Sequence, residues 1–376
     1  MRTLRIAMNG VTGRMGLGQH LRNAVLPIRD AGGVTGPDGE RVQVEPILVG
    51  RRAERLREIA TEHGVARWTT DVDAALEDAD VYFDAQATPG RAAALTAAMT
   101  AGKHVFAEKP SAENAAEAFA LARLRDERGV TAGVVHHMLY LPGPSRLREL
   151  AAEGFIGRIL SVRLEFGYWV FDGEARPAQR PSWNYRAQEG GGITADMFTH
   201  LNYLVERIAA PVREVHAVAT THVPERWDEK GRRYVATADD AVYSTLTLEG
   251  GAVAVVNASW GTRMLRDEIL QIHVDGTGGS AVAGFQQCLV QPAAATPLMT
   301  GDVARPLRDE RTRWLPLPER GDAANPFRLQ WEEYLRDVAA GRPHRNDLLS
   351  AARGVQLAEL ALRSSTDGHR LEVPTA

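Results

Sequence analysis

Hydrophobic residues follow two different patterns along this chain. Up to about residue 135, short apolar runs alternate with stretches in which apolar residues recur at helical spacing. Strands that alternate with helices indicate βαβ units and a parallel sheet. The predicted strands are Leu4–Met8, Pro46–Val49, Val81–Asp84, Lys103–Phe106 and Val130–Val135. The predicted helices run from the loop after the first strand to about Leu26, and over Ala53–His63, Arg91–Thr100 and Ala112–Arg128.

Beyond about residue 155, apolar and polar residues alternate along long runs, which predicts an antiparallel sheet. The predicted strands are Ile159–Phe171, Val212–Thr221, Asp240–Leu248, Ala252–Trp260 and Ile269–Asp275. One helix, Ile193–Arg207, interrupts this series, and two helices, Pro326–Ala340 and Leu348–Ser364, follow it. We therefore predict an α/β protein with a parallel sheet first and a large, mainly antiparallel sheet second.

The composition narrows the possible classes of protein. A length of 376 residues suffices for about two domains. The apolar share of 44% and the charged share of 24% exclude a disordered chain and a disulfide scaffold. The single cysteine, Cys288, and a first apolar run that is too short for a signal peptide and leads at once into a glycine loop make us expect a cytoplasmic protein. Neither a membrane nor a nucleic acid is an expected partner, because the sequence has no long apolar run and no basic block.

A glycine-rich loop, NGVTGRMG at residues 9–16, joins the first strand to the first helix. Glycines at such a turn let the backbone approach a pyrophosphate, which the N–H groups and dipole of the helix N-terminus attract. The spacing G-x-x-G-x-x-G differs from the usual G-x-G-x-x-G, and a turn of this kind can also be purely structural. The candidate cofactor-binding residues here are Gly10, Thr12, Gly13, Arg14 and Met15.

The end of the second predicted strand carries Arg51 and Arg52. In dinucleotide-binding folds an acidic residue at this place binds the ribose hydroxyls of NAD, whereas an arginine meets the 2′-phosphate of NADP. The two arginines therefore favour NADP and leave NAD possible. They also fit a general bias of the composition, since all but three of the 44 basic residues are arginines.

Two further segments follow predicted strands at the edge where open α/β sheets bind ligands. The third strand is followed by Ala87, Thr88 and Pro89, and the fourth by Glu108 and Lys109. Lysine, unlike arginine, can lose its proton when it is buried, and it is rare in this chain. We therefore predict a catalytic role for Lys109 and contacts to the cofactor from both segments.

Three glycines at 190–192 precede a predicted helix that carries Asp196 and His200. We interpret the glycines as a flexible lead-in to this helix. Residues four apart lie on the same helical face. In a cleft, the carboxylate would orient the imidazole and stabilise its cation while the other ring nitrogen moves a proton. On an exposed helix the same pair would contribute only about 0.2–0.5 kcal/mol to helix stability.

Taken together, these motifs resemble the Gfo/Idh/MocA oxidoreductases, the family of glucose–fructose oxidoreductase and the inositol dehydrogenases. The resemblance rests on the glycine loop, the strand end DAQATP, the run AGKHVFAEKP and the helix GGG…D-x-x-x-H, and it extends over nearly the whole chain. It implies an N-terminal Rossmann dinucleotide-binding domain, which we expect over 1–136. It also implies a C-terminal α/β domain for substrate binding and oligomerisation, which we expect over 137–376, with a large open sheet.

The resemblance further implies a nicotinamide cofactor, a sugar or polyol substrate, and homodimers or homotetramers formed through the open sheet. Lys109 matches the lysine of the family's Glu-Lys-Pro motif, while Asp196 and His200 match the acid and the histidine of its helix. We expect all three to be catalytic and to contact the substrate.

Four more residues are candidates for substrate binding. Where many family members carry an arginine after the sixth strand, this chain reads VHHMLY, which makes His137 a candidate to line the cleft. Trp183, Tyr185 and Arg186 lie shortly before the triple glycine. Aromatic faces suit the C–H faces of sugars, and arginine suits hydroxyl or carboxylate groups. Ordinary packing is the alternative for these side chains.

The sequence thus predicts an NAD(P)-dependent dehydrogenase or reductase. It would move a hydride between the nicotinamide and a secondary alcohol or ketone of a sugar or polyol. We expect His200 to accept the proton and Lys109 to polarise the oxygen, although the reverse division also fits. One alternative is redox-neutral processing of a glycoside with a retained cofactor. Another is a non-catalytic nucleotide-binding sensor, which would not need these residues. No zinc-ligand spacing, nucleophile elbow or Walker loop occurs, so we expect no metal.

Overall fold

The computed structural model describes residues 2–171, 178–296, 313–318 and 324–374. The chain forms two compact units. The first comprises Met1–Tyr140 and Ala324–Gln356, and the second comprises Leu141–Ala323 and Leu357–Ala376. The first boundary lies four residues beyond the expected end at residue 136, whereas the segment 324–356, expected in the second domain, lies in the first unit.

The strands and helices of the described residues are numbered here in chain order. The strands are β1 Thr3–Asn9, β2 Val34–Thr35, β3 Arg41–Val49, β4 Arg67–Thr69, β5 Val81–Asp84, β6 His104–Ala107, β7 Ala132–Val134, β8 Ile159–Gly167, β9 Val212–Thr220, β10 Glu225–Trp227, β11 Arg233–Val235, β12 Ala241–Leu248, β13 Val253–Ser259, β14 Leu270–Gly276, β15 Gly279–Ala283, β16 Cys288–Pro292, β17 Leu315–Pro316 and β18 Leu371–Glu372. The α-helices are α1 Leu26–Asp30, α2 Ala53–Glu62, α3 Val72–Asp78, α4 Arg91–Thr100, α5 Ala115–Arg128, α6 Pro142–Ala152, α7 Thr199–Ile208, α8 Pro326–Ala339 and α9 Leu348–Asp367. Helical turns of π type at Met15–Val25 and Thr194–Phe198 lead directly into α1 and α7. Short 3₁₀ turns lie at His137–Tyr140, Ser182–Tyr185, Ala187–Glu189, Glu249–Gly251 and Ala293–Ala295.

A mainly parallel sheet forms the centre of the first unit. Its order is β2-β3-β1-β5-β6-β7, with β4 paired to the end of β3. All neighbouring pairs are parallel except β2 with β3. Counted along the chain, the parallel strands follow the order 3-2-1-4-5-6 of doubly wound dinucleotide-binding folds. Apolar cores on both faces bury α2 and α8 on one side and α3, α4 and α5 on the other. The predicted Rossmann domain is therefore confirmed.

The C-terminal segment belongs to this unit because it covers the edge strand β7. The Gln330 side-chain amide donates to the Val134 carbonyl at 2.7 Å, and its oxygen accepts the His136 N–H at 2.9 Å. The Val134 N–H donates to the Asn346 carbonyl at 2.9 Å. Since an edge strand leaves a row of backbone groups unpaired, these bonds satisfy groups that the sheet itself cannot.

The second unit contains a nine-stranded sheet in the order β17-β16-β15-β14-β8-β13-β12-β9-β18. Its pairs are antiparallel except β8 with β13, which confirms the predicted large, mainly antiparallel sheet. Alternate residues face opposite sides: Val162 and Leu164 are buried, whereas Arg163 between them is exposed. On the second, open face the register places Val218 directly opposite Tyr243, and both side chains are exposed.

The sequence did not predict α3, α6 or the hairpin β10–β11. Helix α6 begins Pro142-Gly143-Pro144, which is typical of a loop. Proline is nevertheless accepted in the first turn of a helix, because an N–H group there has no intrahelical partner. No helix among the described residues is long and apolar enough to cross a membrane.

Candidate functional site

The glycine loop packs closely against the end of β5. Gly10 has a φ of +82°, and a Cβ atom there would lie 2.6 Å from the backbone carbon of Ala85. A Cβ atom at Gly16 would lie 2.5 Å from the Gly10 carbonyl oxygen. These contacts require glycine at both positions, because a Cβ would overlap backbone atoms. The helix at Met15–Val25 begins directly behind the loop, and its N-cap residue, Arg14, makes no side-chain capping hydrogen bond, an arrangement that suits a phosphate at the helix N-terminus.

The end of β3 lies beside this loop. A Cβ atom at Gly50 would be 3.5 Å from Thr12 Cγ2. Arg51 and Arg52 follow at once, both exposed, and α2 begins at Ala53. Within the described ranges, no carboxylate forms an ion pair with either guanidinium group. Both arginines are thus available to a phosphate group at the place where dinucleotide-binding folds contact the 2′-position of the ribose. Of the other loop residues, Gly13 and Arg14 are exposed and Met15 is half-buried.

A buried network joins the end of β5 to the turn that follows β6. Arg91 Nε lies 2.9 Å from Asp84 Oδ1, and both side chains are almost completely buried. The Tyr82 hydroxyl donates to Asp84 Oδ2 at 3.1 Å. Arg91 Nη2 donates to the Gln86 carbonyl, and Nη1 donates to the Pro110 carbonyl at 2.5 Å. Arg91 therefore fixes both strand-end loops from one side chain.

Three predicted cofactor residues lie in the loop that this network bounds. Ala87 and Pro89 are exposed, and Thr88 is half-buried. The Thr88 carbonyl accepts the Arg91 N–H at 3.0 Å, which begins α4. The loop thus presents its surface at the carboxyl edge of the sheet.

Lys109 is half-buried and follows the buried Glu108 at the end of β6. Glu108 Oε1 lies 2.8 Å from His20 Nε2, and its Oε2 accepts the Lys109 N–H at 3.1 Å. The Trp331 indole N–H donates to His20 Nδ1 at 3.0 Å. Burial by itself would raise the pKa of Glu108, but the hydrogen bond from His20 and the charges of Lys109 and Arg91 lower this pKa to about 2. Glu108 is therefore an anion beside the lysine.

His137 begins the 3₁₀ turn after β7 and lies beside the same turn. Its ring stacks on Phe327 with 4.3 Å between the ring centres. Burial lowers the pKa of His137 to about 4; the charge of Glu108 raises it and that of Lys109 lowers it. The imidazole is therefore neutral at pH 7, and it can exchange hydrogen bonds with a polar ligand without carrying charge.

In the second unit, the helix that carries Asp196 and His200 is capped by a side chain from elsewhere in the chain. Asp239 Oδ2 accepts the N–H and the hydroxyl of Thr194 at 2.9 and 2.6 Å. A Cβ atom at Gly192 would lie 2.4 Å from Asp239 Oδ1, and one at Gly191 would lie 2.5 Å from the Trp183 carbonyl. Close packing therefore accounts for Gly191 and Gly192, whereas Gly190, with a φ of +75°, has open space around a Cβ atom.

Each of the two predicted catalytic side chains on this helix has a partner that the sequence did not reveal. His200 is buried, and its Nδ1 lies 2.8 Å from the Tyr203 hydroxyl. Asp196 forms an ion pair with Arg180, whose guanidinium lies 4.4 Å from the centre of the Trp260 ring. The bond to Tyr203 orients the imidazole, so that its two nitrogens serve different roles.

The three remaining substrate candidates occupy different environments. Trp183 is 46% exposed and presents its ring to solvent. Tyr185 is fully buried, with the Arg226 guanidinium 3.8 Å from its ring centre. Arg186 forms an ion pair with Glu189 at 3.0 Å. Tyr185 thus packs inside the unit, whereas Trp183 and Arg186 lie where a ligand can reach them.

Two protein-family models match this chain. Residues 4–136 match the model of an oxidoreductase family with an NAD-binding Rossmann fold, and residues 145–282 match the GFO/IDH/MocA C-terminal domain. The chain belongs to the Gfo/Idh/MocA oxidoreductases. This Gfo/Idh/MocA chain is 54% identical to a D-xylose dehydrogenase of Paenarthrobacter nicotinovorans, over 99% of its own length and 97% of that protein.

More distant relatives share parts of the chain or its fold. A levoglucosan dehydrogenase of Pseudarthrobacter phenanthrenivorans is 26% identical over 65% of this chain and 66% of its own. The solved structure of a levoglucosan dehydrogenase in complex with NADH and levoglucosan covers 100% of both chains with a TM-score of 0.82 and 19% identity, which shows a common fold. The predicted family, fold and class of enzyme, a nicotinamide-dependent sugar dehydrogenase or reductase, are confirmed.

Proposed function

We propose that this Gfo/Idh/MocA oxidoreductase oxidises a hydroxyl group of D-xylose or a closely related sugar, with NADP as the preferred hydride acceptor. The observation that carries the proposal is the 54% identity to a D-xylose dehydrogenase along almost the entire chain. The reaction removes a hydride from carbon and a proton from its hydroxyl group, which leaves a carbonyl group.

The first unit supplies a cradle that fits a dinucleotide. The positions of Gly10 and Gly16 have no room for a Cβ atom, and the helix N-terminus behind them attracts a pyrophosphate. A bound nicotinamide supplies the hydride acceptor. Gly10, Thr12, Gly13, Arg14 and Met15 would hold the phosphates, and the loop Ala87–Pro89 with Glu108 would border the nicotinamide.

The side chains of this protein would handle the proton and the oxygen. Lys109, at the end of β6, would bind and polarise the substrate oxygen as a cation held beside the Glu108 anion. His200 would accept the hydroxyl proton, since imidazole titrates near neutrality and the Tyr203 hydroxyl fixes its Nδ1. Asp196 would orient the sugar or the imidazole. His137, Trp183 and Arg186 would contact the rest of the sugar, and the burial of Tyr185 removes it from this set.

The test follows absorbance of the reduced nicotinamide with D-xylose, D-glucose and polyols as substrates. We expect the highest kcat/KM with D-xylose. Lys109→Ala and His200→Ala should each lower kcat by about 10²–10⁴-fold, whereas the control Lys103→Ala, at the other lysine of this region, should stay within about twofold of the wild type. Lys109→Arg should recover rate if only charge is needed. Turnover of glycosides without added nucleotide would support the redox-neutral alternative instead. Near wild-type kcat in both alanine variants would refute the site.

The preference for NADP rests on Arg51 and Arg52. A charged hydrogen bond to the 2′-phosphate contributes about 1.5–3 kcal/mol. Arg51→Asp should therefore weaken NADP binding at least about tenfold and increase relative use of NAD. Tighter binding of NAD than of NADP by the wild-type protein would overturn this preference.

We also propose a homodimer or homotetramer formed through the open sheet face. Val218 and Tyr243 lie opposite each other on it, Val255 lies on β13, the strand next to that of Tyr243, and all three are exposed. An uncovered apolar face of this kind is usually buried by a second copy. Light scattering should give a multiple of 41.0 kDa, and Val255→Lys should shift the measured mass towards that of the monomer.

The single cysteine supports a reducing, cytoplasmic environment.

A further inference from the structure

His20 is a buried side chain of the first unit that the proposed reaction does not use directly. It lies on the helix Met15–Val25, which follows the glycine loop, and is fully buried. Its two ring nitrogens have partners of opposite kind: the Trp331 indole at Nδ1 and the Glu108 carboxylate at Nε2. The imidazole therefore connects the helix behind the glycine loop with the Glu-Lys-Pro turn.

The partners determine which nitrogen carries the proton. An indole N–H can only donate, so His20 Nδ1 must accept and holds no proton in the neutral ring. The proton is then on Nε2, which donates to Glu108 Oε1 over 2.8 Å. The same carboxylate accepts the Lys109 N–H with its other oxygen. Trp331 thus donates to His20 and His20 donates to Glu108, while the main-chain N–H of Lys109 donates to the other oxygen of the same carboxylate.

We propose that His20 is a positioning residue for Lys109, held in one tautomer by Trp331 and acting through the Glu108 carboxylate. This rests on the catalytic role proposed above for Lys109. A donor at Nε2 keeps one Glu108 oxygen in place, which leaves the other oxygen aimed at the Lys109 N–H. The charge of the lysine is then matched by an anion that two hydrogen bonds hold in one orientation.

The charged and titratable groups around Glu108 make this bond decisive for its ionisation. Lys109 follows it in the chain, Arg91 reaches the same turn from α4, and His137 faces it from the 3₁₀ turn after β7. Burial opposes the anion, and the hydrogen bond from His20 is the largest effect in its favour. Loss of this donor should therefore let Glu108 take up a proton at a higher pH than in the wild type.

The test compares His20→Leu, which removes the donor, with His20→Gln, whose side-chain amide can still donate to Glu108. His20→Leu should lower kcat about tenfold or more with KM values for sugar and nucleotide within about threefold. It should also add an acidic limb to the kcat profile at about pH 4–6. His20→Gln should restore kcat to within about threefold of the wild type and remove this limb.

A matched control exists in the same unit. His344 is also buried and bonds the Asp337 carboxylate at 2.8 Å through Nδ1, so His344→Leu removes an equivalent pair. It should reduce stability without adding the acidic limb. A measurement on the wild type does not depend on variant folding: ¹⁵N NMR of the His20 ring should show an unprotonated Nδ1 and a protonated Nε2.

The outcomes separate this inference from the proposed function. If Lys109→Ala retains activity, the proposed site is wrong, whatever His20 does. If Lys109→Ala is inactive but His20→Leu shows only what His344→Leu shows, His20 is merely structural and the inference fails. A protonated Nδ1 in the wild-type spectrum also overturns it.

Discussion

The buried ion pair between Arg91 and Asp84 allows a quantitative prediction about the first unit. Replacing Arg91 with Met keeps an aliphatic stem and leaves the Asp84 carboxylate buried without its cation. Removing one partner of a buried pair typically costs about 3–5 kcal/mol. The Tyr82 hydroxyl, 3.1 Å from Oδ2, and the Gln86 amide, 2.8 Å from Oδ2, still solvate the carboxylate, so we expect a cost of about 3–4 kcal/mol.

Two further variants isolate the origin of this cost. Arg67→Met breaks an exposed ion pair, in which the side chains of Arg67 and Asp78 are 43% and 62% exposed. This change should lower the unfolding free energy by at most about 1 kcal/mol. The double variant Arg91→Met with Asp84→Asn removes the stranded charge as well. Its loss of unfolding free energy should therefore be smaller than the sum of the losses of the two single variants by about 2 kcal/mol or more.

Hydrogen exchange of the β5 and β6 amides is the appropriate assay, because it measures the opening free energy of this unit even if the two units unfold separately. The kcat of Arg91→Met should fall too, since Arg91 also binds the Pro110 carbonyl next to Lys109. The reasoning is refuted if Arg91→Met loses less than about 1 kcal/mol, or no more than Arg67→Met does.

Three other predictions concern single positions. Gly10→Ala should abolish nucleotide binding and destabilise the first unit clearly more than Gly39→Ala does. Gly39 is the control because its φ of +83° is nearly the same but a Cβ atom there has open space. Equal losses of thermal stability in the two variants would contradict the argument that close backbone contacts require Gly10. Stability should fall as the pH falls from about 6.5 towards 4, because the unfolded state protonates His137 more readily than the folded state, whose His137 pKa is about 4. His137→Gln should remove up to about 3 kcal/mol of this loss, and an unchanged slope of unfolding free energy against pH would show that another group is responsible. Tyr203→Phe should lower kcat by up to about tenfold through loss of the bond to His200 Nδ1, with unchanged nucleotide affinity; an unaffected kcat would mean that Tyr203 does not orient the ring.

The sequence predicted those elements whose signals are local. The parallel strands, the alternating strands of the second sheet and most of the connecting helices could be recognised from periodicity alone. Helix α3 was missed because its seven residues are too few for a helical pattern to stand out. Helix α6 was missed because its opening prolines resemble a loop.

The candidate site likewise contains residues that the sequence predicted and partners that it did not. Lys109, Asp196 and His200 lie within short motifs, but the side chains that hold Glu108 beside Lys109 come from distant parts of the chain. His20 and Trp331 are separated by 311 positions, and no periodicity records that contact. Arg91 did leave a signal, because a cation at the first position of a helix is unfavourable to the helix dipole and therefore needs a specific reason.

The cover that the C-terminal segment places over β7 has a consequence for how the protein is made. The first unit lacks part of its structure until the ribosome has added the residues up to Gln356, which are 216 positions beyond Tyr140. At about 5–20 residues per second, this delay lasts on the order of 10–40 s. During that time the backbone groups of β7 that later bond Gln330 and Asn346 remain open to other strands. The nascent chain therefore passes through an extended interval in which this edge strand is not yet covered by its own C-terminal segment.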